Sequence, residues 1–184
     1  GRPRPRCYNP AAMPSVTQRE PAEFFVVGGP VQAERPCYVE RAADRDLAAA
    51  LRDKRLCCVL GPRAIGKSSL LLRAARSLRV SGTLVAAVDL RRIAEQGAAE
   101  PGDGWLRRVA ERIAQELKLG VDVGEWWNSR DAVGDHKLVE FFWEVVLTNT
   151  TAPIVVLVDE IDGALELPLG AELLDAIGAC YERR

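Results

Sequence analysis

This sequence is poor in the residues that mark several common kinds of site. It holds one histidine and one methionine among 184 residues, and aromatics make up 6%. The single histidine, His136, reads as an early helix residue rather than a ligand or catalyst. A dominant charge sign is also missing. The 25 basic and 26 acidic residues leave a net charge of −1, which gives no electrostatic case for nucleic acid as a main partner. No apolar run is long enough to span a bilayer. No charged-then-apolar leader opens the chain, so secretion is not expected. The five cysteines, Cys7, Cys37, Cys57, Cys58 and Cys180, show no CxxC spacing. They read as reduced thiols in a cytoplasm, not as disulfides or zinc ligands.

What the chain does have is 48% apolar residues, enough for one soluble domain with a sizeable core. Residues 1–23, beginning Gly1-Arg2-Pro3-Arg4-Pro5-Arg6, read as an extended Pro/Arg-rich linker or tail. A domain is expected from Phe24 to Arg184. Its opening Phe24-Phe25-Val26-Val27 runs into a Gly28-Gly29-Pro30 turn.

Two segments carry chemistry. Gly61-Pro62-Arg63-Ala64-Ile65-Gly66-Lys67-Ser68 fits G-x-x-x-x-G-K-[ST], a loop that cradles phosphates. Gly61 and Gly66 let backbone N–H groups approach a dense negative charge. The helix that follows adds free N–H groups and a positive dipole end. Lys67 is expected to reach the β- and γ-phosphates, and the Ser68 hydroxyl to meet Mg²⁺. The context agrees. Leu56-Cys57-Cys58-Val59-Leu60 before the loop reads as a buried strand. In the helix after it, Leu70, Leu71, Ala74 and Leu78 mark one face.

The second segment, Ile154 to Val158, is apolar throughout and reads as a fully buried parallel strand. It ends in Asp159-Glu160, and ligands of open α/β sheets bind beyond the carboxyl ends of strands. Asp159 is expected to hold Mg²⁺, and Glu160 to orient or deprotonate the attacking water. Together the segments describe a nucleoside triphosphate–Mg²⁺ pocket. The guanine-reading [NT]-K-x-D is absent, and the glutamate after Asp159 favours ATP.

Elsewhere, Thr83–Asp89 reads as a third buried strand and Arg91–Gly104 as irregular. Helices are expected over about Asp44–Arg52 (Leu47, Ala50 and Leu51 inward), Asp103–Lys118 (Leu106, Val109, Ile113, Leu117), Asp135–Asn149 (Leu138, Phe141, Phe142, Val145) and Ala171–Arg183 (Leu173, Leu174, Ile177, Cys180). The alternation gives an α/β fold, a parallel sheet with helices on both faces. With so few strands, apolar surface should remain open, which suggests the front part of a larger domain.

Tyr38-Val39-Glu40-Arg41, the glycine loop through Ser69-Leu70, Val88-Asp89-Leu90, Glu125-Trp126-Trp127 and Val158-Asp159-Glu160-Ile161-Asp162 resemble the AAA-like domain of bacterial signalling P-loop ATPases. These form the STAND group, related to NACHT and apoptotic ATPases. The resemblance runs from about Phe24 to the C-terminus. It implies an ATP-driven switch in a multidomain protein, coupled to repeat or effector domains as protein partners, and a nucleotide-dependent oligomer. It also implies that Gly61 to Ser69 hold the nucleotide and that Tyr38, Val39 and Arg41 are candidates for base or ribose contacts; the plainer reading is that they start a helix. A further strand, between the phosphate-loop strand and the Asp159 strand, is implied too. It follows the Asp159 strand in sequence and does not occur before Arg184, so the domain is expected to lack its C-terminal strands.

Other residues carry two readings each. Arg63 touches phosphate or a neighbouring subunit, or forms a surface ion pair. Asp89 supports the metal shell or caps a helix. Trp126 and Trp127 form a platform or pack under a loop, and Asp162 bonds near the site or caps a turn. Two other functions compete with the switch. One is a DNA-linked ATPase, suggested weakly by the arginine-rich N-terminus. The other is an interaction module that holds nucleotide without turnover.

Overall fold

The computed structural model describes residues 29–31, 35, 37–97, 103–165 and 170–183. The expected tail over 1–23 and the Phe24–Val27 stretch lie outside them. In chain order the elements are helices α1 (Ala42–Arg52) and α2 (Lys67–Val80), strand β1 (Leu84–Asp89), and helices α3 (Leu90–Gly97), α4 (Gly104–Leu117), α5 (Val123–Asn128) and α6 (Gly134–Phe141). A π-helical turn, Phe142–Val146, continues α6; strand β2 (Ile154–Asp159) and helices α7 (Ile161–Leu165) and α8 (Gly170–Glu182) complete the order.

Among the described residues the sheet has two parallel strands, in register from Leu84↔Ile154 to Asp89↔Asp159. The side-chain period of two splits each strand between two cores. Val85, Val155 and Leu157 meet Leu71, Ala75 and Leu78 of α2 on one face. Ala86 and Val88, with Leu84, Ile154, Val156 and Val158, meet the larger cluster built from α3, α4, α5, α6 and α8 on the other. Helices therefore cover both faces, as the run of apolar residues in each strand requires.

The larger core follows helical spacing. Leu106, Val109, Ile113 and Leu117 are all buried along α4, joined by Leu138, Phe141 and Val145. Trp127 is buried too, with its indole N–H donating to Asp103 Oδ2 at 3.1 Å, so it packs rather than offering a platform. At Gly134 a Cβ would meet Asp103 Cβ at 2.7 Å and Leu106 Cδ1 at 2.9 Å; only glycine lets α6 approach α4 this closely.

Four expectations need correction. Ile154–Val158 is a strand but not a fully buried one: only Leu157 is buried, because no described strand lies on the outer side of β2. Leu56–Leu60 forms no strand: Leu56 is 57% and Leu60 87% exposed. The physical reason is that no described strand lies beside it to complete its backbone hydrogen bonds. Arg91–Gly104 is not irregular at its start, because α3 follows directly on β1 and Asp89 Oδ1 accepts the Arg92 N–H at 3.3 Å. Asp89 thus caps a helix. Leu174 faces outward at 42% exposure while Leu173 is buried on α8. The described cysteines, Cys37, Cys57, Cys58 and Cys180, are free thiols, and no helix among the described residues is long and apolar enough to cross a membrane.

The two sheet edges differ. On the outer edge of β1, Arg79 Nη2 donates to Val85 O at 3.1 Å and Arg112 Nε to Ala87 O at 3.4 Å. Glu116 ties both guanidiniums together, at 3.4 Å from Arg79 and 2.7 Å from Arg112. Capping edge carbonyls with arginine closes that side of the sheet to another strand.

Candidate functional site

The glycine loop leads straight into α2. Gly66 caps the helix with φ +89°, a left-handed conformation that a side chain would strain, and its carbonyl accepts the Leu70 N–H at 3.0 Å. The N–H groups of Lys67, Ser68 and Ser69 precede that first bond and have no intrahelical acceptor. Ala64 also takes a positive φ, +61°. Gly61 lies close to the far side of the loop, where a Cβ would meet Ile65 Cγ2 at 3.3 Å. Arg63 and the rest of 61–65 are exposed.

Two cations cover the loop's carbonyls. Lys67 Nζ donates to Gly61 O at 3.0 Å and Pro62 O at 3.1 Å. Arg41 donates from Nη1 to Ile65 O at 2.7 Å and from Nη2 to Gly66 O at 3.3 Å. Carbonyl oxygens repel phosphate oxygens, so neutralising them leaves the N–H groups as the dominant feature of the loop.

Arg41 is itself fixed from the entry segment. Its N–H donates to Asp44 Oδ2 at 2.9 Å, while the Tyr38 hydroxyl donates to Asp44 Oδ1. Arg73 lies 4.8 Å from the Tyr38 ring centroid and 3.7 Å from Asp44 Oδ1. Burial alone would raise the Asp44 carboxyl. The Tyr38 hydroxyl, the Arg41 N–H and the two guanidiniums outweigh it and hold the carboxyl below its ordinary range. Burial and the Asp44 hydrogen bond push the Tyr38 phenol up. Tyr38 and Arg41 thus organise the start of α1 and clasp the loop, while Val39 is 76% exposed. Ser69 is buried, and its hydroxyl accepts the Val31 N–H at 2.9 Å, which docks the incoming chain onto α2.

The carboxylate half lies at the C-terminal end of the sheet, where Asp159 stands in register with Asp89. Asp159 Oδ1 accepts the Glu160 N–H at 3.0 Å. Glu160 has φ +58°. Of the four non-glycine residues with positive φ among the described residues, Lys54 and Lys118 follow helix ends, whereas Ala64 and Glu160 lie in the two sequence-defined segments. Strain held in this way clusters at functional sites. Glu160 Oε1 is 3.4 Å from Arg91 Nη2. Among the described residues no hydrogen bond or ion pair joins Lys67 or Ser68 to Asp159 or Glu160; the halves are linked through the packing of α2 on β2. Asp162 is exposed at the start of α7. Among these residues no three His, Cys, Asp or Glu side chains come together as a metal cluster.

The family described as "AAA-like domain" matches residues 26–178. The chain belongs to that family. Its small parallel sheet flanked by helices is compatible with the AAA-like fold, and membership supports a nucleotide-binding module. The chain is similar to an uncharacterized WD repeat-containing protein of Synechocystis sp.. The two are 31% identical over 165 residues, which is 87% of this chain and 14% of that relative. No solved structure matches it significantly.

Sequence reasoning missed Arg91, Arg73 and Asp44. Arg91 was hidden in a stretch with no recognisable period. The signal for Asp44 was its place three residues after Arg41, where an acid can reach back to the N–H that opens a helix.

Proposed function

We propose that this chain is the ATP–Mg²⁺-binding front part of a regulatory switch module in a multidomain signalling protein of the STAND type. The observation that carries the reading is the loop itself: Gly66 at φ +89° opens α2, and Lys67 and Arg41 cover the loop carbonyls. In this reading Gly61 to Ser69 take the phosphates, and Lys67 moves from Gly61 O and Pro62 O to the β- and γ-phosphates. Ser68 and Asp159 fit a magnesium ion. A hydroxyl and a carboxylate are hard oxygen donors, the type of ligand that such an ion would take from this chain. Bound magnesium supplies neutralisation of charge on the phosphates. Glu160 orients the attacking water in a slow hydrolysis. Tyr38 and Arg41 border the nucleotide from the entry side.

The sheet is proposed to continue on the β2 side. The β1 edge is closed by Arg79 and Arg112, and Leu56–Leu60 is an exposed apolar run lacking a strand neighbour among the described residues. C-terminal strands of a complete domain would fill that place. The WD-repeat relative supports repeat domains as the partners the switch controls.

The test is Mg²⁺–ATP binding by titration calorimetry to this chain and to Lys67→Ala. Loss of a charge-assisted phosphate contact should weaken binding at least about tenfold. Equal affinity in both proteins would remove the reading.

A further inference from the structure

The grip of the entry segment on the phosphate loop closes through a residue of α2 to which the loop motif gives no role. Gly66, Ser69 and Arg73 are spaced by three and then four residues, so they share one face at the start of α2. The entry segment meets all three. Arg41 Nη2 donates to Gly66 O at 3.3 Å, the Val31 N–H donates to Ser69 Oγ at 2.9 Å, and Arg73 meets Tyr38, Glu40 and Asp44. A single guanidinium makes the last three contacts. Its Nη2 donates to Glu40 Oε2 at 3.2 Å, its Nε lies 3.7 Å from Asp44 Oδ1, and its Cζ stands 4.8 Å from the Tyr38 ring centroid. Asp44 in turn accepts the Tyr38 hydroxyl and the Arg41 N–H. The contacts form a ring: from Arg41 to Gly66, along α2 to Arg73, across to Asp44 and back to Arg41.

We propose that Arg73 is a positioning residue for the phosphate loop: by closing this ring it keeps Arg41 on Ile65 O and Gly66 O, and so sets how tightly the loop holds phosphates. This rests on the reading of the loop as the phosphate site. The Asp44 side chain is 8% exposed, so its charge depends on the partners around it. Arg73 is the partner that α2 supplies. Without it the start of α1 is freer to shift on α2, and Arg41, the N-cap residue of α1, shifts too. Loop carbonyls are then uncovered and repel phosphate oxygens. Arginine suits the place better than lysine, because its flat face lies over a ring while its edge reaches two carboxylates. The effect runs through the loop, so it applies equally to any ligand with the same phosphates, with or without a base.

Titration calorimetry of the full chain with Mg²⁺–ATP and with Mg²⁺–tripolyphosphate tests it, at a temperature where urea denaturation shows each variant folded. Arg73→Ala should weaken both ligands by the same factor, about three- to tenfold. Arg73→Lys keeps the charge but loses the flat face and the fork, and should fall between that variant and the parent. Arg41→Ala should cost less affinity in the Arg73→Ala background than in the parent, because both changes break one ring. A merely structural Arg73 would lower stability and leave the affinity of the folded protein unchanged, and that result overturns the proposal. So do losses that add fully in the double variant, or a loss confined to ATP, which would place the effect at the base. A parent that binds neither ligand overturns the phosphate-site reading itself, and the proposal with it. Binding by the parent that Arg73→Ala leaves intact overturns the proposal alone.

Discussion

Leu84–Asp89 and Leu56–Leu60 are both short apolar runs, and they end in opposite places. The first pairs along its length with β2 and is covered by α2 on one face and by the larger cluster on the other. The second is unpaired among the described residues, with Leu60 87% exposed. Hydrophobicity favours burial, but a strand also needs a neighbour for its N–H and C=O groups. The apolar pattern is a local property and the neighbour is not. The glycine loop thus follows a segment that the sheet does not anchor, and it is gripped instead by Arg41 and Lys67.

The largest effect should come from breaking the covered side. Phe141 is 0% exposed in the cluster that includes Ala86 and Val88 of β1. Phe141→Ala should lower unfolding stability by about 3–5 kcal/mol, through lost burial and the cavity left behind. Urea denaturation measures it. A loss under about 1 kcal/mol would mean that the packing around β1 is far looser than its burial implies.

The same contrast explains how much of the molecule was legible. The spacing of Leu106, Val109, Ile113 and Leu117 gives α4 and its buried face, because a helix's period is written in its own residues. Thr83–Asp89 and Ile154–Val158 were legible as strands, and each differs from the observed strand by one residue at one end. The two segments of the candidate site were legible as motifs. Three features were not. The fate of Leu56–Leu60 depends on a neighbour, the Arg91–Glu160 contact on the register of two strands 64 residues of connection apart (Leu90 to Pro153), and the clasp of Arg41 on Ile65 and Gly66 on residues 24 and 25 positions away.

A middle-sized effect should come from the clasp. Asp44 is 8% exposed at its side chain and receives the Tyr38 hydroxyl and the Arg41 N–H. Asp44→Asn removes the charge from these bonds and should cost about 1.5–3 kcal/mol. The pH dependence has a definite sign. The folded carboxyl titrates below its ordinary value of 3.8, so its contribution is complete above that value and is lost as pH falls through the lower folded value. Stability of the parent should therefore fall in acid more steeply than that of Asp44→Asn. Parallel curves would show that the loop is held without this carboxylate.

The smallest effect tests the uncovered side. Leu60→Lys puts a charge where a buried strand could not tolerate one. At 87% exposure the leucine has little burial to lose, and the lysine head stays in water. The change in stability of this chain should stay within about 0.5 kcal/mol. The same substitution in a longer polypeptide that carries a strand beside β2 should cost several-fold more, because Leu56–Leu60 would then be covered and paired. Equal, small costs in both would mean that the segment remains outside the sheet in the longer polypeptide as well, and the proposed growth of the sheet on the β2 side would be wrong. A large cost in the present chain would mean that the run is already buried in solution, and the difference between the two apolar runs would vanish.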